Sequence, residues 1–203
     1  HGYGFSTSIW TSSVRRGSLK RSAPMTHSVC GRSVQTMASL RSGAAVVKAL
    51  RSLGHRVHEL DPQTESWTLP AGTSVVFLVL HGTYGEDGTV QRRLEELGVP
   101  YTGCGPEVSR MAFDKVRTKE CCVAASVPTP KYVVVTDANA AWPRGWQPPV
   151  VLKPVRQGSS VGLEFVEQPS EWTPALTRAL RCDREVLVEE SVIGWKEYEL
   201  EVM

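Results

Sequence analysis

No aspartate or glutamate occurs between His1 and His58, although that stretch carries nine lysines and arginines, and all 21 acids fall from Glu59 onward. The first 42 residues also hold ten serines. A basic, serine-rich, acid-free start is the composition of an organellar transit peptide, of a solvated arm, or of a misread frame. Residues 1–38 show no sustained periodicity and are expected to lie outside the fold. Cysteine pairs with metal spacing are also missing. Cys30, Cys104, Cys121, Cys122 and Cys182 are odd in number and contain no CxxC, so they read as reduced thiols in a cytosol-like compartment. The adjacent Cys121 and Cys122 read as helix packing. No apolar run approaches the roughly 20 residues of a membrane span. A formal net charge of +2 points to no particular partner, neither nucleic acid nor a membrane.

What is present is an alternation of helix and strand patterns. Ser42 is a good N-cap, and residues 42–53 carry Val46, Val47, Leu50 and Leu53 on one apolar face before Gly54. A short strand over 56–60 follows, then an apolar run over 75–80 of the kind buried on both faces of a sheet. Such alternation predicts a parallel α/β sheet. The loop HGTYGEDGT over 81–89 lies at the carboxyl end of that strand, the edge where open α/β sheets bind ligands. His81, Gly82, Glu86, Asp87 and Gly88 are its candidate site residues, and Asp87 or Thr89 is placed to cap the helix over 90–97.

Residues 107–126 are helical in pattern, as two helices meeting near Phe113. Lys115 and Lys119 share a face there at i, i+4, which reads most simply as a solvated basic face. A strand over 132–135 and a polar connection over 137–149 come next. The stretch VVLKPVRQGSSVGLEF over 150–165 then reads as strand, small-residue loop, strand. Lys153 ends the first strand, where a cation is held rigidly. Gly158 allows close backbone approach, and Ser159 and Ser160 offer hydroxyls and N–H groups to phosphate oxygens. The lysine precedes the glycine and no helix follows at once, so this is not a Walker loop. An ordinary hairpin with a surface lysine is the other reading of this segment. A helix over 170–180 capped by Ser170 and a strand over 185–190 complete the pattern.

Four segments taken together carry a family resemblance. HGTYGEDGTVQ (81–91), MAFDKVRTK (111–119), VLKPVRQGSSVG (151–162) and EVLVEE (185–190) resemble, in order and spacing, the D-alanine–D-alanine ligases of the ATP-grasp class. The resemblance runs over residues 39–190. It implies an α/β fold: a Rossmann-like N-terminal domain over 39–112, then an incomplete ATP-grasp domain with its small subdomain over 113–188 and the start of a further subdomain over 189–203. It implies that Lys115 and Lys153 contact ATP phosphates and that Gly158 and Ser160 lie in the phosphate-covering loop. Ser159 would help to place substrate, and His81 to Gly88 would border the D-alanine pocket. Glu189, Glu190 and Val192 would sit by the adenine, and Glu197 on the ribose hydroxyls. The implied reaction is ATP-dependent joining of two D-alanines through an acyl phosphate for peptidoglycan synthesis.

The implied cofactors are ATP and Mg²⁺ (or Mn²⁺), with metal ligands beyond residue 203. The implied partners are small molecules, D-alanine and ATP, with a homodimer as the assembly considered. The implied location is a bacterial-type cytoplasm, with organelle targeting by residues 1–38 as the other possibility. Three departures stand against the pattern. The opening strand and its glutamate are not legible near Gln35, the metal carboxylates are not among these residues, and the tail over 190–203 resembles the large chain of carbamoyl-phosphate synthetase. A carbamoyl-phosphate-synthetase-like or other carboxylate ligase, and a non-catalytic nucleotide-binding module, are the competing readings.

Overall fold

In the computed structural model the residues described are 6–10, 32–62, 67–158 and 160–192. The chain divides into two units, His1–Thr118 with Arg156–Val161, and Lys119–Val155 with Gly162–Met203. The main division falls between residues 118 and 119, and strand-forming residues continue through position 189.

The first unit is built on a parallel sheet. Strand β1 (Ser6–Trp10) lies between β2 (Arg56–Leu60) and β3 (Val75–Leu78), with Ser8 opposite both His58 and Val76. A strand is therefore present at residues 6–10, within the stretch where sequence patterning shows none. A five-residue segment is too short to show a period, and its strand character comes from pairing on both sides rather than from local propensity. The helix α1 spans Arg32–Ser52, so it begins well before Ser42. Ser42 looks like a cap because serine favours helix ends. Here Ser39 and Ser42, three residues apart on one helix face, turn their hydroxyls toward His81 instead. Gly54 closes α1 at φ +86, with its N–H bonded to the Arg51 carbonyl.

Val47 and Val57 are buried beside Val46, Leu50, Phe77 and Val79. Leu53, expected on that apolar face, is 73% exposed. In β3 only Val76 is fully buried and its neighbours are half-buried, which tempers the expectation of a strand covered on both faces. Helix α2 (Thr89–Glu96) adds Val90 and Leu94 to Trp67 and Val76 in a second cluster. Helices α3 (Pro106–Phe113) and α4 (Lys115–Ala124) meet at Asp114, as the pattern predicts.

The second unit holds an antiparallel sheet in the order β4 (Tyr132–Val135), β7 (Val186–Glu190), β5 (Val150–Pro154), β6 (Glu164–Val166). Helix α5 (Trp172–Leu180) buries Trp172, Ala175, Leu176 and Ala179 against Val150, Leu152, Val166, Val186 and Val188. A 3₁₀ turn, Pro169–Glu171, precedes it. The cap there is a capping box of Gln168 and Glu171, the Glu171 carboxylate accepting the N–H groups of Glu167 and Gln168, and not Ser170 as expected. Trp172 donates its indole N–H to the Ala140 carbonyl, which fixes the polar connection before β5. Cys104, Cys121 and Cys122 are free thiols, whereas Cys182 is disulfide-bonded, which corrects the reading of five reduced thiols. Among the described residues no helix is long and apolar enough to cross a membrane.

Burial decides which leucines matter. Leu176 is fully buried and Leu53 largely exposed. Leu176→Ala is expected to lower unfolding free energy by about 2–5 kcal/mol. Leu53→Ala is expected to cost less than about 0.5 kcal/mol. Urea unfolding of both variants checks this, and equal losses would contradict the core described here.

Candidate functional site

In the first unit the chain leaves β3 and turns through residues 81–88 into α2. The loop is held by its own acids. Glu86 Oε2 accepts the Gly82 N–H at 2.6 Å, and the Glu86 N–H bonds back to the Gly82 carbonyl at 2.9 Å. Asp87 accepts the Tyr84 N–H at 2.9 Å and the Thr89 N–H at 3.0 Å. The N-cap of α2 is Gly88, at φ +88 and with no side-chain cap, so neither Asp87 nor Thr89 fills the cap position. A Cβ on Gly88 would land on the Pro106 carbonyl oxygen, which adds a steric reason for glycine to its positive φ. Both carboxylates, expected at a substrate pocket, are thus engaged with backbone N–H groups and shape the loop.

His81 is half-exposed. Its backbone N–H donates to Ser39 Oγ at 3.0 Å, and Ser42 Oγ lies 3.4 Å from its Nε2. Its Nδ1 is 3.7 Å from Glu86 Oε1, an ion pair whenever the imidazole is protonated. A carboxylate on one ring nitrogen and a hydroxyl on the other leave the ring oriented from both sides.

The break between α3 and α4 anchors the small-residue loop. Asp114 is buried; its Oδ1 accepts the Val116 and Arg117 N–H groups and so caps α4. Its Oδ2 takes the Arg156 guanidinium at 3.1 Å, and Lys115 Nζ donates to the Gln157 carbonyl. Of the loop residues, Gly158 is half-buried and Ser160 is exposed at φ +58. Ser159 lies outside the described residues, as does Glu197.

In the second unit one carboxylate organises the sheet's polar interior. Glu189 on β7 faces Val151 on β5 in register, so Lys153, two residues further along β5, is its diagonal neighbour on the same face. Lys153 Nζ pairs with Glu189 Oε2. Lys119 on α4 pairs with Glu189 Oε1 at 2.6 Å. Burial pushes the Glu189 carboxyl upward, but hydrogen bonds and charge from Lys119 and Lys153 outweigh it and hold its pKa below the ordinary value. The side chain of Glu190 is exposed, and its backbone N–H bonds to the Lys131 carbonyl; Val192 is exposed too. Lys119, read from sequence as part of a solvated face, is buried and ion-paired. Its signal was weak because i, i+4 lysines on a helix look alike whether one or both are solvated. Among the described residues no group of three or more His, Cys, Asp or Glu is placed to hold a metal ion.

A depressed carboxyl pKa stabilises the fold above the unfolded-state pKa, and that contribution is lost as pH falls through the folded value. The stability gap between the unsubstituted chain and Glu189→Gln is therefore expected to be widest near neutral pH, at about 3–5 kcal/mol. It should narrow below the ordinary carboxylate range. Urea unfolding across pH 3 to 7 checks this, and a gap independent of pH would contradict it.

Comparison with known proteins agrees along the chain. A family model described as D-ala D-ala ligase N-terminus matches residues 56–104, and one described as D-ala D-ala ligase C-terminus matches residues 124–203. The D-alanine--D-alanine ligase of Methylacidiphilum infernorum is 39% identical over 164 residues, covering 81% of this chain and 53% of that protein. That of Aquifex aeolicus is 42% identical over 167 residues, covering 81% and 57%. The chain thus spans about half the length of the relatives it matches. Among solved structures, D-alanyl-alanine synthetase A from Vibrio cholerae superposes with a TM-score of 0.72 at 25% identity, covering 94% of this chain and 60% of that one. The Bacillus anthracis D-alanine--D-alanine ligase, at 24% identity and a TM-score of 0.73, shares the fold and covers 94% and 58%. With both halves of the family matched in order and the fold in common, this α/β chain of the ATP-grasp class belongs to the D-alanine–D-alanine ligase family.

Proposed function

We propose that the protein acts in the ATP-dependent joining of two D-alanines for peptidoglycan precursor synthesis. The observation that carries this reading is Lys153, fixed by Glu189 on adjacent strands of a sheet and still about one-third exposed, within a segment that matches the family. A rigid ammonium is suited to the phosphates of a nucleotide, where charge is redistributed as a phosphoryl group leaves. Lys115 is a second such cation, and Gly158 and Ser160 belong to the loop that covers the phosphates. Glu189, Glu190 and Val192 are the residues assigned to the adenine, and Glu197 is the one assigned to the ribose. Ser159 and His81 are the candidates that touch substrate, and Gly82 to Gly88 form the pocket edge, with Glu86 and Asp87 acting through the loop's shape.

A carboxylate oxygen of the first D-alanine bonds to the γ-phosphorus and ADP leaves. The amine of the second D-alanine attacks the acyl carbon, inorganic phosphate leaves, and the amine gives up a proton. A divalent metal supplies charge neutralisation at phosphates in such reactions. Among the described residues no cluster of three or more His, Cys, Asp or Glu could hold such an ion. The reading carries with it small-molecule partners and a bacterial-type cytoplasmic location.

Lys153→Ala should remove a charge-assisted contact of about 1.5–3 kcal/mol. Affinity for ATP, measured by calorimetry, should then fall roughly ten- to a hundredfold. An unaltered dissociation constant would make Lys153 a surface lysine. Substrate choice needs a chain carried to the full length of the family. In that protein, phosphate release should be stimulated by D-alanine, weakly by L-alanine, and not by bicarbonate with ammonia, because inversion at the α-carbon misplaces groups in a site of fixed hydrogen bonds. Stimulation by bicarbonate and ammonia alone would favour the carbamoyl-phosphate-synthetase-like reading.

A further inference from the structure

Lys119 belongs to none of the roles above, yet it is the most enclosed cation among those described around Glu189, with a side chain only 8% exposed. Its ammonium meets three acceptors: Glu189 Oε1 at 2.6 Å, Thr129 Oγ1 at 2.8 Å and the Pro130 carbonyl at 2.9 Å. The Tyr132 ring lies 5.3 Å away on a further side. An ammonium has three N–H bonds, and all three are used, so Lys119 keeps no donor for a ligand. Lys153, on the other oxygen of the same carboxylate, is 31% exposed.

Two lysines share one carboxylate, which leaves a surplus of one positive charge. The enclosed lysine cannot present it, so it falls to the exposed one. Without Lys119 the carboxylate would be matched by Lys153 alone, and the pair would offer a phosphate no net charge. Partly buried charges of this kind are poorly screened by salt, so the cancellation would be felt.

We propose that Lys119 is a positioning residue that neutralises Glu189 from the buried side and thereby leaves the charge of Lys153 available to the phosphates of a bound nucleotide. This rests on the reading of Lys153 as a phosphate-binding residue. Lys119 acts only through Glu189, so its effect must depend on that carboxylate.

The test is a double-mutant cycle read by ATP affinity in the chain itself, with no metal added. Lys119→Met should weaken ATP binding about tenfold. In the Glu189→Gln background the same substitution should change affinity by less than about twofold, because no carboxylate remains to cancel Lys153. Any contact that Glu189 itself makes with the nucleotide drops out of this comparison. Lys119→Gln, also neutral, carries the same expectation and serves if Lys119→Met does not fold. Unchanged affinity in the Lys119 variants would overturn the proposal. So would an equal loss in both backgrounds, which marks a purely structural role. If Lys153→Ala leaves affinity unchanged, or the unsubstituted chain binds no ATP, the reading of Lys153 fails and takes this proposal with it. A loss for Lys153→Ala beside no effect of Lys119 defeats the proposal alone.

Discussion

A buried carboxylate between two ammonium groups sets the terms for the second unit of this protein. Glu189 lies inside a sheet whose other buried positions on the same strand are Val186, Leu187 and Val188. A lone charge there would be expelled or protonated. Two lysines from different elements prevent that: one reaches in from helix α4 and one from the adjacent strand β5. The register of β5 against β7 follows, since a slip of one residue would turn Lys153 to the opposite face and leave Glu189 with a single partner. The same pairing that secures the fold also holds Lys153 in a fixed position.

The first unit solves a similar problem with backbone donors. Glu86 and Asp87 spend their oxygens on the N–H groups of Gly82, Tyr84 and Thr89, which shapes the loop after β3 while its Tyr84 packs on the cluster around Trp67 and Val76. Asp114 does the same for the start of α4, and then reaches Arg156 in the small-residue loop. In each case the acid is first a bracket for the backbone, although Glu86 and Asp87 look like ligands in sequence. His81 is oriented at the same edge by Ser39, Ser42 and Glu86, and its side chain is partly exposed.

Much of this was legible in the sequence because it rests on local chemistry. Pro and Gly punctuation marked the ends of α1 and α4, and the apolar runs over 132–135, 150–152 and 185–190 became β4, β5 and β7. The break near Phe113 was visible because Asp114 interrupts the apolar period and offers a cap. What was missed depends on partners distant in the chain. Strand β1 has no pattern of its own and exists through β2 and β3. Ser42 resembles a cap unless one knows that His81 faces it. Lys119 differs from Lys115 only in what stands opposite, and a carboxylate 70 residues further on cannot be seen from a helix face. The family match spans both units, although the chain covers about half of its relatives' length, so the proposed reaction rests on the matched residues and not on the whole enzyme.

The ionisation of Glu189 is the most direct point of attack. Its side-chain carboxyl carbon can be followed by NMR through an acid titration, with Glu189→Gln to assign the resonance. If the two lysines outweigh burial, Glu189 should titrate below the ordinary glutamate value, and Lys119→Met should move its midpoint upward. A midpoint at or above the ordinary value in the unsubstituted chain, unmoved by Lys119→Met, would contradict the account.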